Sequence, residues 1–178
     1  GKSPDYQFMP VGNAGNITAY WKGYNEYYDN KKIKTKPKMM GWQAEGSGPI
    51  VLVHPIKNPK TIATAIKIGN PASWQQAVKA AKESCGLIDC VSDEEILNAY
   101  KMLANLEGVF VEPASAAGVA GLIKLNKKGF FNKSLKQKLI IVCILTGNGL
   151  KDPEISFKQT QEPQIVSPNL KQILKAIG

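Results

Sequence analysis

The sequence contains no arginine, so lysine alone makes it basic: 23 lysines against 14 acidic residues give a net charge of +9. Proteins that read nucleic acids use the planar arginine fork on guanine edges and phosphates, and that group is missing here. The densest lysine cluster, from Lys31 to Lys38, has no interleaved aromatic residues that could stack on bases. We therefore expect no nucleic-acid partner, and a surface that attracts small anions.

Long hydrophobic stretches are also missing. The longest apolar run, Leu139–Leu145, has seven residues, whereas a membrane-spanning helix needs about 20. The three cysteines, Cys85, Cys90 and Cys143, are odd in number and lack metal-ligand spacing, which indicates neither a disulfide framework nor a metal site. We therefore predict a soluble protein without membrane association, located in the reducing cytoplasm, with its cysteines in the core.

Short apolar runs alternate with amphipathic segments along most of the chain. Apolar residues recur at offsets of three and four from Ile17 to Tyr28 and within Ser73–Glu83, and a further helix begins at Ser92, which has capping-box spacing to Glu95. The predicted strands are Tyr6–Val11, Met39–Ala44, Leu87–Val91, Val109–Val111 and Leu139–Leu145. The last is apolar on both faces, as expected of a central strand. This alternation predicts an open, mainly parallel α/β sheet with helices on both faces and ligands at the carboxyl ends of its strands.

The remaining segments complete the predicted organisation. A helix of small residues is predicted from Glu112 to about Leu125, and these residues would allow close approach to a sheet. Gly46–Val53 fits either a strand or a buried helix. Residues 1–152 are expected to form the α/β domain. The pattern becomes polar from Lys151 to Ser167, and a C-terminal helix capped by Ser167 follows. Residues 153–178 are therefore expected to form a polar connection and a helix that packs on the domain.

The turn Gly12–Asn16 has the requirements of a phosphate-binding loop. Its glycines allow backbone amides to converge, and the helix that follows presents unpaired N–H groups and the positive end of its dipole. Asn13 and Asn16 add side-chain donors. The pattern is neither a Rossmann fingerprint nor a P-loop. On spacing alone, a bound anion and a plain strand-to-helix connection remain equally open.

Three further polar residues stand where strands end and helices begin. Thr146 follows the apolar run Leu139–Leu145, and its hydroxyl could face a crevice or satisfy the local turn. Glu112 and Ser115 mark the entry to the small-residue helix, and each could act in catalysis or anchor that helix. The residues alone favour the structural role for all three.

Four segments, in this order, closely resemble the threonine synthase family of fold type II pyridoxal-phosphate enzymes. They are Met9–Ile17, Ile62–Ile66 with Gly69–Pro71, Glu112–Ala117 and Thr146–Asp152. The resemblance extends from about Tyr6 to Asp152. It implies that residues 1–152 are the cofactor-binding, large-domain portion of such an enzyme. The activity it implies is conversion of O-phosphohomoserine and water to threonine and phosphate.

The resemblance also implies roles for individual residues. Gly12, Asn13, Ala14, Gly15 and Asn16 would hold the phosphate of pyridoxal 5'-phosphate. Thr146 would bond the pyridine nitrogen, and Thr64 would lie near the ring. Glu112 and Ser115 match a family motif that we interpret as architecture beneath the ring.

The family's catalytic lysine has no counterpart here: none of the 23 lysines matches its position, so the chain is expected to contain no catalytic residue. We expect that lysine upstream, which makes the chain the C-terminal half of the enzyme, inactive alone, with the N-terminal half as partner in a homodimer. The alternatives are a non-catalytic phosphate- or cofactor-binding module, and another fold type II lyase such as a threonine dehydratase.

Overall fold

The computed structural model describes residues 1–132, 138–160 and 165–178. The four strands are β1 (Tyr6–Pro10), β2 (Lys38–Ala44), β3 (Leu87–Val91) and β4 (Ile141–Cys143). The helices are α1 (Gly15–Asp29), α2 (Pro49–Leu52), α3 (Trp74–Glu83), α4 (Asp93–Glu107), α5 (Pro113–Lys127), α6 (Pro153–Gln159) and α7 (Leu170–Ile177). All strands are parallel and lie in the order β3-β2-β1-β4. The predicted open parallel α/β sheet is confirmed.

The sheet is covered on both faces because its central strands bury side chains in both directions. Phe8 and Trp42 pack on one face with the alanines of α5 and with residues of α4. Met9 and Met39 point to the other face, where they meet apolar residues of α1 and α3. Successive residues of a strand point to opposite faces, so a strand covered twice is apolar throughout.

Helix α5 lies unusually close to the sheet because glycines face the strands. A Cβ at Gly118 would approach the backbone nitrogen of Met9 to 3.2 Å, and one at Gly121 would lie 2.0 Å from the Trp42 indole. The predicted close approach of this small-residue helix is therefore confirmed. The packing also brings the first turn of α5 next to the carboxyl end of β1.

The apolar run Leu139–Leu145 was expected to be a central strand, and this prediction is wrong. Only Ile141–Cys143 is a strand, and among the described residues β4 pairs with β1 alone. Leu139, Ile141, Cys143 and Leu145 pack against the α4–α5 core, whereas Val142 is exposed. The run is also apolar on its other side because Ile144 packs there against the cluster that includes residues of α1 and α3.

The prediction of a strand at Val109–Val111 is also wrong. Only Val111 forms an isolated bridge, with Asn148. Since α4 ends at Glu107 and α5 begins at Pro113, the segment is a short connection between two helices, and Val111 pairs with the neighbouring turn at Asn148. The ambiguous segment Gly46–Val53 contains the short helix α2.

The polar connection predicted from Lys151 to Ser167 contains helix α6, and its residues 161–164 lie outside the described residues. Asn169, not Ser167, caps α7, because its side-chain oxygen accepts from the backbone of Lys171 at 3.0 Å. Leu170 and Leu174 of α7 are exposed. The packing of α7 on the domain stays a prediction.

The cysteines are free thiols, and the prediction that all three lie in the core is wrong. Cys85 is exposed, while Cys90 and Cys143 are half-buried. Cys85 has a φ of 53° just after α3, so the chain turns there and the thiol stays at the surface. Within residues 1–132, 138–160 and 165–178, no helix is long and apolar enough to cross a membrane.

Candidate functional site

A cleft of about 360 Å³ opens where β1 ends and α1 and α5 begin. Its lining residues come from the glycine loop, a 3₁₀ turn, the first turn of α5 and the segment after β4. They are Pro10, Gly12, Asn13, Ala14, Gly15, Asn16, Ala65, Ile66, Glu112, Ala114, Thr146 and Lys151. The structure thus brings the glycine loop and Thr146 together, although they are far apart in the sequence.

The loop is shaped to bind an anion with its backbone. Ala14, at the N-cap of α1, has a left-handed φ of 66°, and no side chain caps the helix. The backbone N–H groups of residues 12–16 have no acceptor in the described part of the chain. Successive amides in such a turn converge, and the positive end of the helix dipole adds to their attraction for negative charge.

The two loop glycines have different steric surroundings. A Cβ at Gly12 would lie 3.0 Å from the Ala65 carbonyl oxygen and from the Ile66 Cα, so a side chain would push against the facing 3₁₀ turn. A Cβ at Gly15 would meet no atom within 4 Å. Because Gly15 lines the cleft, the space beside its Cα is open to a ligand atom.

The two loop asparagines brace the loop. The Asn13 side-chain oxygen accepts from the Ala72 amide at 2.7 Å, which ties the loop to the segment before α3. The Asn16 amide donates to the Pro10 carbonyl at 2.7 Å, and its oxygen accepts from the Ile17 N–H at the same distance. One of the two Asn16 side-chain hydrogens is therefore engaged within the protein, and the other hydrogen and the backbone N–H have no acceptor in the described residues.

The opposite wall is a turn held on the first residues of α5. Gly147 N donates to Ser115 Oγ at 2.7 Å, and Glu112 N donates to Gly147 O at 3.0 Å. Ser115 Oγ also lies 3.0 Å from Thr146 Oγ1. Ser115 is fully buried and Thr146 is exposed, so Ser115 supports the turn while the Thr146 hydroxyl is available to the cleft.

One ion pair lines the cleft. Lys151 Nζ lies 3.5 Å from Glu112 Oε1, and the side chain of Glu112 is 5% exposed whereas that of Lys151 is 62% exposed. A buried carboxylate needs a partner, and Lys151 supplies the charge. The solvated lysine end also makes this side of the cleft attractive to anions.

Sequence reasoning missed part of the lining. Lys151 stands in the Thr146–Asp152 segment, and its position just after the second glycine turn was an unused signal. Ala65 and Ile66 carry no chemical signal. Thr64, expected near the ring, donates to Asp152 Oδ2 at 2.9 Å, and the two residues that follow it, Ala65 and Ile66, line the cleft.

The fold and the cleft define an α/β protein in which a glycine loop, whose amides have no acceptor in the described residues, and a hydroxyl lie at the carboxyl ends of parallel strands. A sequence profile of the family described as "Pyridoxal-phosphate dependent enzyme" matches residues 1–147. The chain belongs to this family.

Curated relatives carry a more specific name. A threonine synthase from Bacillus sp. (strain ULM1) is 54% identical over 96% of this chain and 47% of its own length. One from Mycobacterium tuberculosis is 54% identical over 89% of the chain and 43% of its length. A threonine synthase from Methanocaldococcus jannaschii is 46% identical over 98% of this chain and 45% of its own length. The chain thus spans about half the length of the curated relatives it matches.

Solved structures agree on the fold. A fungal L-serine ammonia-lyase from Rhizomucor miehei superposes with a TM-score of 0.67 at 20% identity, over 89% of this chain and 50% of that one. The processed form of a threonine deaminase from Solanum lycopersicum superposes with a TM-score of 0.61 at 19% identity. The match covers 86% of this chain and 43% of that one. Identities this low describe the architecture alone.

Proposed function

We propose that this chain holds the pyridoxal phosphate of a threonine synthase, which converts O-phosphohomoserine and water to threonine and inorganic phosphate. One observation carries the proposal: loop amides that have no acceptor among the described residues and the exposed Thr146 hydroxyl line one cleft. Identity of 46–54% to threonine synthases along nearly the whole chain supports this choice within the family.

The glycine loop fits the phosphate end of the cofactor. The amides of residues 12–16 supply donors without a competing acceptor in the described residues, and Gly15 leaves space for phosphate oxygens. A negative group at a helix N-terminus is stabilised by about 0.3–1 kcal/mol when exposed, and by up to about 2 kcal/mol in a partly buried site. These residues would bind and orient the phosphate without contributing to bond cleavage.

Thr146 fits the other end of the cofactor, where the ring nitrogen would lie. When bound, pyridoxal phosphate withdraws electrons from the substrate carbon, and a neutral hydroxyl partner moderates that withdrawal, which suits elimination and replacement. Thr146 would orient the ring, with Ser115 and Glu112 holding the turn beneath it. Lys151 adds positive charge for a second anion, the substrate's phosphate.

The remaining parts of the proposal concern the catalytic lysine, the oligomeric state and the cellular location. The catalytic lysine would come from a segment outside the chain, the N-terminal half, so we expect the chain alone to be inactive as a carbon–oxygen lyase. We further propose a homodimer. A cytoplasmic location is supported by the three free cysteines.

The test is made on the full-length protein that carries this chain. It should bind pyridoxal phosphate with a new visible absorbance and should release phosphate from O-phosphohomoserine. Failure of both in a folded protein would defeat the proposal. Cofactor binding without activity would favour the non-catalytic module, and ammonia release from threonine would favour a dehydratase.

A matched pair of variants locates the cofactor. Gly15→Ala is expected to weaken pyridoxal phosphate binding at least about tenfold, since a methyl group beside the loop amides displaces a charge-assisted hydrogen bond. Gly23→Ala is the control, because it lies in the same helix, also meets no atom within 4 Å and is absent from the cleft lining. Equal affinities for the two variants would mean that the phosphate binds elsewhere.

A further inference from the structure

One wall of the cleft belongs to a part of the chain that has little regular structure. Ala65 and Ile66, which line the cleft, lie in the 3₁₀ turn Thr64–Ile66. Residues 53–63, which lead from α2 into this turn, form no helix or strand. Because no regular ladder of backbone hydrogen bonds holds such a segment, its bonds to neighbouring side chains decide where the turn lies.

Asp93 binds this segment with both of its carboxylate oxygens. Oδ1 accepts from the Thr61 hydroxyl, and Oδ2 accepts from the Ile62 N–H at 3.1 Å. Thr61 Oγ1 in turn accepts from the Ala63 N–H at 3.1 Å. Because a carboxylate accepts without donating, the directions of these bonds are fixed. Asp93 therefore holds, directly or through Thr61, the three residues that immediately precede the 3₁₀ turn.

Asp93 stands on a well-packed element. It is the first residue of α4, and the capping box of Ser92 and Glu95 closes the start of this helix in both directions. Ile96 and Ala99, on the next turn of α4, are fully buried. A side chain on a packed helix positions its partners more precisely than a side chain on a loop does.

The position of the 3₁₀ turn matters to the glycine loop. A Cβ at Gly12 would lie 3.0 Å from the Ala65 carbonyl oxygen and from the Ile66 Cα, so the turn and the loop are in contact. The loop amides of residues 12–16 have no acceptor in the described part of the chain. Hydrogen bonds weaken steeply when their geometry departs from the optimum, so a displaced turn would disturb the bonds from these amides to a ligand.

We propose that Asp93 is a positioning residue, which places the 3₁₀ turn against the glycine loop and thereby sets the affinity of the cleft for a phosphate-bearing ligand. This inference rests on the proposed function, in which that ligand is pyridoxal phosphate. Asp93 is not among the described residues that line the cleft, so it acts through Thr61 and Ile62. The other end of the turn has its own contact, since Ser47 Oγ lies 3.1 Å from Ile66 O. Loss of the Asp93 bonds should therefore weaken the site without abolishing it.

The experiment titrates the cofactor-free, full-length protein with pyridoxal phosphate and records the visible circular dichroism of the bound cofactor. In Asp93→Asn, the side-chain NH₂ group replaces one of the two acceptors. We expect the affinity to fall at least about fivefold, the effect of one hydrogen bond, and the visible circular dichroism to change because the surroundings of the cofactor shift. Glu94→Gln is the matched control: it removes the same charge from the same helical turn, but Glu94 is exposed, so both readouts should stay unchanged.

Two variants of Thr61 test the same contact from its other side. Thr61→Val removes the hydroxyl and should also weaken pyridoxal phosphate binding about fivefold, whereas Thr61→Ser keeps the hydroxyl and should bind like the unaltered protein. Because Asp93→Asn and Thr61→Val disturb one network, their combined effect should be clearly smaller than the product of the two single effects. If Asp93→Asn does not fold, the difference between Thr61→Val and Thr61→Ser decides the question.

Urea unfolding of the cofactor-free variants separates positioning from a general loss of stability. A structural role alone would lower the free energy of unfolding and leave the affinity and the visible circular dichroism of the folded protein unchanged, and this result would overturn the inference. Equal affinities of Asp93→Asn and Glu94→Gln, or of Thr61→Val and Thr61→Ser, would overturn it too. If the unaltered protein binds no pyridoxal phosphate, the proposed function fails together with the inference. If the unaltered protein binds it and these variants bind it equally well, the inference fails alone.

Discussion

Replacing Gly147 by alanine tests how firmly the turn that carries Thr146 is held on α5. A Cβ at this position would lie 2.1 Å from Glu112 Oε1 and 2.5 Å from Glu112 Cδ. The two backbones resist separation, because Glu112 N donates to Gly147 O at 3.0 Å and Gly147 N donates to Ser115 Oγ at 2.7 Å. The carboxylate has little room to retreat, since Glu112 is 4% exposed.

The size of the effect follows from this geometry. An ordinary contact begins at 3.4 Å, so the carboxylate or the turn must move by about 1.3 Å. Overpacking of this kind costs about 1–3 kcal/mol, whereas disturbing the half-solvated Lys151 pair adds little. We expect Gly147→Ala to lower the free energy of unfolding by about 2 kcal/mol and, by displacing Thr146, to weaken pyridoxal phosphate binding about tenfold.

Urea unfolding followed by tryptophan fluorescence measures the first quantity, and titration of the cofactor-free, full-length protein with pyridoxal phosphate measures the second. Glu112→Asp shortens the opposing side chain by one methylene and should relieve the overlap. The double variant should therefore be at least about 0.5 kcal/mol more stable than the two single effects predict by addition. Strict additivity, or a Gly147→Ala protein as stable as the original, would refute the steric reasoning.

Two further predictions concern packing and thiol reactivity. Gly121→Ala should lower the free energy of unfolding by about 1–3 kcal/mol, because its Cβ would lie 2.0 Å from the buried Trp42 indole. Gly23→Ala, whose Cβ would meet no atom within 4 Å, should raise the free energy of unfolding by about 0.5–1 kcal/mol, because alanine favours the helix more than glycine does. Urea midpoints check both, and destabilisation by both variants to the same extent would remove the packing argument. Burial raises the pKa of the Cys143 thiol to about 11, so at pH 8 only about one in a thousand is thiolate. Iodoacetamide labelling of the native protein, read by mass spectrometry, should modify the exposed Cys85 first and Cys143 increasingly as the pH rises; equal labelling at pH 8 would contradict this.

Sequence patterns predicted the structure correctly where the interacting residues are close together in the chain. The capping box predicted at Ser92 and Glu95 is present in both directions, with bonds of 3.1 and 2.9 Å, because both partners belong to one helical turn. The cap of the C-terminal helix was misplaced at Ser167 instead of Asn169 because serine and asparagine are both good caps and the geometry of the turn selects between them.

Part of the candidate site was also predictable. The glycine content of the turn from Gly12 to Asn16, and the helix that follows it, mark this turn as a candidate loop, and the structure places it in the cleft. Lys151 and Ile66 could not be assigned in the same way, since a lysine and an isoleucine have no distinctive chemistry until the chain brings them to a cleft. Only the fold shows that the Pro10 carbonyl takes one of the two Asn16 side-chain hydrogens, and the role of Asn16 in phosphate binding stays a prediction.

By itself, the sequence determined the alternation of strands and helices and the parallel sheet, since the hydrophobic period acts over a few residues, whereas the binding of an anion by the first turn stays a prediction. Tertiary structure alone decided that β4 lies at the edge of the four described strands, that Val109–Val111 joins no sheet, and that Ser115 supports Thr146. Those outcomes depend on which surfaces are already covered and which donors are already paired, and both are properties of contacts between residues far apart in the chain.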